Sequence, residues 1–251
     1  MPDLPIVLLP GLGADARMYA PHRRQLPVIV PPWLVPTSPR ETLPAYAARM
    51  VAALPVRGPF ILGGSSFGGM VAWEMAQHCR AEAVVLIGGA TGPLELAWWL
   101  RSQARLARFM PTRAVPLIQS VAGPLARLVG LTDGAGQPLI QAMVTACPPA
   151  FLQWCATAIG AWRPSPPPAM RCLRLHGAAD VAIPAPPAGP GITLVPRAGH
   201  MLDGSHAAVV ISWLDGIRAG LIRDRTGAGD GRDAARTAAT TGSHSMRRKR
   251  G

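Results

Sequence analysis

Short, almost wholly apolar runs recur along the chain: Ile6 to Leu9, Val28 to Val30, Phe60 to Leu62, Val84 to Ile87, Cys172 to Leu175 and Ile192 to Val195. They do not alternate apolar and polar positions, as a strand with one wet face would, so the pattern predicts strands buried on both faces of a parallel sheet. Between them lie segments with helical spacing: Ala16 to Gln25 behind Asp15, Leu43 to Leu54 behind Thr42, and Gly69 to His78. Asp15 and Thr42 are side chains that accept from the free N–H groups of a first turn. Strand and helix in alternation predict right-handed crossovers and a doubly wound, mostly parallel α/β sheet. Ala207 to Leu221 reads as a closing amphipathic helix.

Residues 92–169 break the alternation with helical periodicity and no clear strand. Pro93 suits a first helical turn, and Leu94 to Phe109 predicts the insertion's first helix. Trp98, Trp99, Phe109, Phe151, Trp154 and Trp162 all fall there, either filling the insertion's own core or facing a ligand. The proline-rich stretch Arg163 to Pro168 reads as a stiff connector back to the sheet. The expected organisation is a core from residues 1–91 and 170–222, a helical insertion at 92–169, and a disordered basic tail at 223–251, which has almost no apolar bulk.

Residues 60–76 carry the chemistry. An apolar run leads into Gly64-Ser65-Ser66-Phe67-Gly68 and then into a helical stretch, the strand-turn-helix setting in which a G-x-S-x-G pattern thrusts its central serine above a sheet. A serine hydroxyl becomes a useful nucleophile only when an imidazole accepts its proton and a carboxylate orients that imidazole. The chain offers both in order, each after a strand and a glycine-containing turn: Asp180 closes Leu175-His176-Gly177-Ala178-Ala179-Asp180, and His200 closes Val195-Pro196-Arg197-Ala198-Gly199-His200. Alternatives stand beside them. Ser65 flanks the central position as a filler or hydrogen-bond donor. Glu95 competes with Asp180 for the acid, Asp133 reads as a turn residue, and Asp203 follows His200 too closely to orient it. His22 and His78 sit in helix-like stretches as surface or capping groups, His176 packs at a strand end, and His206 and His244 lie beyond.

Taken together these motifs resemble the α/β-hydrolase superfamily, in its compact, cofactor-free, esterase-like branch, over about residues 5–222. The resemblance implies a helical lid at 92–169 and a nucleophile, acid and base at Ser66, Asp180 and His200. It also implies an oxyanion hole from the N–H groups of Leu12 and Phe67, the first in the loop Pro10-Gly11-Leu12-Gly13 where many members carry His-Gly. One departure stands out: the superfamily places a helix between the acid and the next strand, whereas Val181 to Gly191 is short, holds four prolines and predicts an irregular loop. The implied activity is serine hydrolysis of an ester or thioester of a small or medium apolar acid through an acyl-enzyme, without cofactor or metal. The competing readings are acyl transfer or lyase chemistry on the same triad, and a same-fold binding protein with little turnover.

The formal charge of +12 would ordinarily point to nucleic acid or an anionic surface, but the tail alone contributes +5, and with aromatics at 5% there is no stacking platform. Nucleic acid is therefore not the expected partner. Cys79, Cys147, Cys155 and Cys172 show neither C-x-x-C nor metal-ligand spacing and read as reduced thiols. No secretory leader and no membrane-length apolar run is read, so a soluble cytoplasmic protein is expected, with no membrane as partner.

Overall fold

The computed structural model describes residues 4–128, 131 and 136–245, with residues 227–245 described by their backbone alone. Six strands form one wholly parallel sheet: β1 (Ile6–Leu9), β2 (Val28–Ile29), β3 (Ile61–Ser65), β4 (Ala83–Ile87), β5 (Cys172–Gly177) and β6 (Ile192–Val195), in the order β2-β1-β3-β4-β5-β6. The even apolar runs explain the two-sided burial. Val7, Leu9, Leu62, Val84 and Leu86 point into one core, while Ile6, Leu8, Ile61, Val85 and Ile87 point into the other. The chain winds outward from β1 to β2 and then crosses back to β3, so the β1/β3 junction is the switch point at which open α/β sheets form a crevice beyond their strand ends. Register pairs Leu9 with Gly64, and β3 runs one residue further, to Ser65.

The first core is closed by α2 (Leu43–Ala52) and α3 (Phe67–Met75), the second by α1 (Ala20–Arg23), α9 (Leu202–Ser205) and α10 (Ala207–Ser245). Asp15 and Thr42 cap as expected, accepting from the N–H groups of Arg17 and Ala45. Between β4 and β5 come α4 (Trp98–Leu106), α5 (Val115–Ser120), α6 (Ala122–Leu128), α7 (Gln137–Ala146) and α8 (Pro149–Ala161). Phe151, Trp154 and Ile159 of α8 join the sheet's first core. Trp154 and Trp162 are buried with their indole N–H groups bonded to the Glu41 carbonyl and to Glu74. Glu74, fully buried on α3, also accepts from the N–H and hydroxyl of Ser165, which docks the proline-rich connector on that helix.

Two expectations differ from the fold. Leu94 to Phe109 is not one helix: a 3-10 turn at Pro93–Glu95 and another at Ala107–Phe109 flank α4, because Leu96 and Ala97 are extended. Leu96 is buried there, and the Ala97 N–H donates to the Ala182 carbonyl at 2.8 Å. The closing helix runs past Leu221 to Ser245, into the stretch expected to be without order. Its side chains pack inward as far as Ile222, and the basic run 247–250 lies outside the described residues.

Candidate active site

Ser66 sits at the end of β3 with φ +53° and ψ −117°, one of two non-glycine residues with positive φ among those described. Such backbone costs on the order of 1–3 kcal/mol and persists only where its surroundings over-determine it. Here the Ser66 N–H donates to the Ile87 carbonyl at 3.0 Å, and two glycines permit close contact between strand and helix. A Cβ on Gly64 would lie 2.5 Å from the Gly68 carbonyl carbon, and one on Gly68 would fall onto the carbonyl oxygens of Leu9 and Pro10.

His200 and Asp180 converge on this serine from the loops after β6 and β5. His200 Nε2 is 2.9 Å from Ser66 Oγ, and His200 Nδ1 is 2.8 Å from Asp180 Oδ2. A carboxylate accepts, so Nδ1 carries its proton toward Asp180 and Nε2 is left to accept from the serine hydroxyl. Asp180 is itself held hard: Oδ1 accepts from the N–H groups of Ala182 and Ile183, each at 2.9 Å. Burial pushes this carboxyl's pKa up, but hydrogen bonds from His176 and His200, the His200 charge and the Ile183 N–H outweigh it and leave Asp180 well below the usual carboxylate range. Thus the proline-rich crossover, which is an irregular loop as expected, closes on the acid through its own first N–H groups.

Phe67, the first residue of α3, has an N–H with no carbonyl one turn back to bond, so it is free to meet an anion. The Pro10-Gly11-Leu12 loop crosses in front of it; a Cβ on Gly11 would lie 3.8 Å from Ser66 Cβ. Residues 6–213 match the model of the Alpha/beta hydrolase family. The chain belongs to that family. Among solved structures it is similar to a thermophilic esterase from Thermogutta terrifontis, at 21% identity and TM-score 0.68 over 87% of this chain and 90% of that one. It is likewise similar to the enol-lactonase from Burkholderia xenovorans, at 20% identity and TM-score 0.63 over 87% of this chain and 92% of that one. MenH from S. aureus is similar at 16% identity and TM-score 0.62, over 88% and 94% of the two chains. At these identities the likeness carries the α/β-hydrolase fold and not the substrate. No curated protein sequence matches the chain.

The other candidates are accounted for by their neighbours. Glu95 is bound to Arg174, at 2.6 Å, and to Thr91, away from His200. Burial raises the Glu95 pKa, but the bonds from Arg174 and Thr91 prevail and lower it. His22, expected as a surface or capping group, is fully buried; its Nε2 lies 3.3 Å from Asp203 Oδ1. Asp203 Oδ2 accepts from Ser65 Oγ, and Ser65 Oγ lies 2.7 Å from the Tyr19 hydroxyl, which is also 2.9 Å from the Leu9 carbonyl. This buried chain behind the elbow ties the end of β1, the residue before Ser66 and the helix after His200 to one another. Burial, and after it the Asp203 charge, hold the Tyr19 phenol well above its ordinary pKa, so it remains a donor.

His176, expected only to pack, places Nε2 2.7 Å from the Ile183 carbonyl and 3.3 Å from Asp180 Oδ2. A carbonyl can only accept, so that nitrogen is protonated and faces the carboxylate as well. Sequence reasoning missed Tyr19, His22, Asp203 and His176 as supports. Only His176 left a signal, four residues before Asp180.

Beside the site lies a cleft of about 1320 Å³, with apolar walls from Trp33, Phe151 and Trp154. Neither Ser66 nor His200 lines it; it meets the site at Gly13 and Ala14, just past Leu12. The four cysteines are free, and burial raises the pKa of each, with Cys147 and Cys172 pushed up to about 11, which keeps them protonated and poor nucleophiles. Among the described residues, no three His, Cys, Asp or Glu side chains are grouped to hold a metal, and no single helix is long and apolar enough to cross a membrane. The pair α7 and α8 passes on composition alone but is bent by 103°, and most of α8's large side chains lie in the core.

Proposed function

We propose that this α/β hydrolase is a carboxylesterase-like serine hydrolase that cleaves an ester or thioester through an acyl-enzyme. The observation that carries the reading is the unbroken relay from Ser66 Oγ through His200 to Asp180, on a serine held at positive φ. Ser66 attacks the carbonyl carbon as His200 Nε2 takes its proton; the N–H groups of Leu12 and Phe67 receive the oxyanion. His200 then returns the proton to the leaving alcohol or thiol, and water, deprotonated by the same nitrogen, releases the acid. Asp180 keeps Nδ1 protonated throughout. In this reading the 92–169 insertion is a lid, the site needs no cofactor or metal, and the enzyme works in the cytoplasm. The cleft takes the apolar part of the substrate; its volume exceeds the ~300–1,000 Å³ of common ligand pockets, so chain length is not limited to short acyl groups.

A fluorophosphonate probe followed by peptide mapping tests the nucleophile, and p-nitrophenyl esters of increasing chain length test the substrate. Labelling of Ser66 with turnover supports the hydrolase. Labelling with acyl transfer to an added alcohol or thiol in place of release to water favours a transferase, and no labelling favours a binding protein.

A further inference from the structure

Ten of the fourteen large apolar side chains exposed among the described residues belong to one stretch, Leu94 to Leu139. Leu94, Trp98, Leu106, Phe109, Leu117 and Leu128 are the extreme cases, from 63% to 83% exposed. Scattered exposed leucines need no explanation, but a concentration of this kind marks an interaction surface. Helical spacing collects them. Trp98 and Arg105 lie on one side of α4, Leu117 and Ile118 are exposed on α5, Val121 is exposed at the junction, and Leu125 and Leu128 lie on one side of α6. The opposite sides carry Ala104, Ala107, Val115 and Gly123, which are buried toward α7 and α8.

The charge of this face decides its partner. From residue 96 to residue 179 the sequence has a single acidic residue, Asp133. Arg101, Arg105, Arg108, Arg113 and Arg127 lie on this stretch, and none forms an ion pair among the described residues. Pairing the face with a second copy of itself brings like charges together across the two-fold axis. A nucleic acid would meet the arginines and leave the leucines, the Trp and the Phe in water. Hydrocarbon beneath anionic headgroups satisfies both sets at once, as it does for amphipathic helices that lie in a membrane interface.

We propose that the outer face of α4, α5 and α6 docks on an anionic lipid surface, Trp98, Leu117 and Leu128 entering the acyl boundary while the arginines meet headgroup phosphates. Arg108 and Phe109 also line the cleft, so docking sets its rim against the lipid and gives an apolar substrate a dry route in. The inference is independent of the catalytic reading, because binding requires no turnover.

Flotation of the full-length protein with vesicles tests it. The protein rises with vesicles of phosphatidylcholine mixed with phosphatidylglycerol, and at least about tenfold less with phosphatidylcholine alone or in high salt, since the arginines are drawn to an anionic surface and salt screens that attraction. Two double variants, Trp98→Ser with Leu117→Ser and Arg105→Glu with Arg113→Glu, each lose about tenfold or more of this binding. Both keep the wild-type melting temperature and hydrolysis of a water-soluble ester. Failure of the wild-type protein to float, or flotation of both variants to the same extent as the wild-type protein, overturns the proposal. So does light scattering that shows a wild-type dimer, monomeric in the Trp98→Ser, Leu117→Ser variant, with no flotation by either, which assigns the face to a second copy. Salt-sensitive retention on DNA without flotation, lost only in the arginine variant, overturns it in favour of nucleic acid.

Discussion

Two adjacent serines divide the work at the elbow, and their positions dictate opposite outcomes on mutation. Ser66→Ala removes the hydroxyl that faces His200 and abolishes ester hydrolysis and probe labelling. Ser65→Ala leaves Ser66 in place but strips a donor from the buried Asp203 carboxyl; labelling persists while stability drops by about 1–3 kcal/mol, read from urea midpoints. Gly68→Ala forces a methyl group onto the Leu9 and Pro10 carbonyls, so the helix must back away from β1, at a cost of about 1–3 kcal/mol and most of the activity. Asp180→Asn loses several orders of magnitude in kcat, by analogy with about 10⁴ for the equivalent change in a serine protease, because the imidazole tautomer is no longer enforced. The depressed pKa of Asp180 also makes it a pH-dependent support. Its contribution is present above the unfolded-state value of about 3.9 and is lost as pH falls from there toward the lower folded value. Urea midpoints taken between about pH 5 and pH 3 therefore fall more steeply for the wild-type protein than for Asp180→Asn.

Among elements, the crossover from β5 to β6 is the one on which the site leans most. It has no helix to stiffen it, and its first turn is instead wrapped on Asp180 by the Ala182 and Ile183 N–H groups and on His176 by the Ile183 carbonyl. His176→Phe keeps the bulk and deletes both contacts of Nε2. Ester kcat falls by about tenfold, because a carboxylate with one donor fewer is held less firmly toward His200. The same loop accepts the Ala97 N–H at Ala182, so the start of the insertion is tied to the acid's turn. Glu95→Gln acts on a different element. It leaves the relay intact and the ester rate within about twofold, but it weakens the bond to the mostly buried Arg174 and costs about 1–2 kcal/mol.

At the scale of the molecule, one polar cluster and one helix end set the boundaries. Tyr19, Ser65, His22 and Asp203 join β1, β3, α1 and α9 beneath the elbow, so Ser66, the loop after β1 and the His200 loop share a single buried support. The far end of α10 is different: its side chains reach the core as far as Ile222 and are exposed from residue 223 to 226. Residues 227–251 include one large apolar side chain, Met246, and so bring little apolar area to pack against the domain. Deleting 227–251 leaves both the melting temperature and the ester rate unchanged, as checked by circular dichroism and a p-nitrophenyl ester assay.

The strands, the elbow serine and the turns that carry Asp180 and His200 were legible along the chain because each is a local pattern. A buried parallel strand needs an unbroken apolar run, and a strained turn needs glycine on either side of its serine. Which carboxylate orients His200 was not local. Glu95 and Asp180 both end up after neighbouring strands, and only the packed sheet shows Arg174 of β5 claiming Glu95 while Asp180 turns to His200. The break in the insertion's first helix, too, follows from a partner at Ala182, far along the chain. Burial of His22 opposite Asp203 depends on contacts 181 residues apart in sequence, and no helical pattern around His22 announces them. Sequence determined which side chains are candidates for catalytic chemistry and which elements carry them; tertiary structure decided which charges meet, because pairing depends on distance in space rather than along the chain.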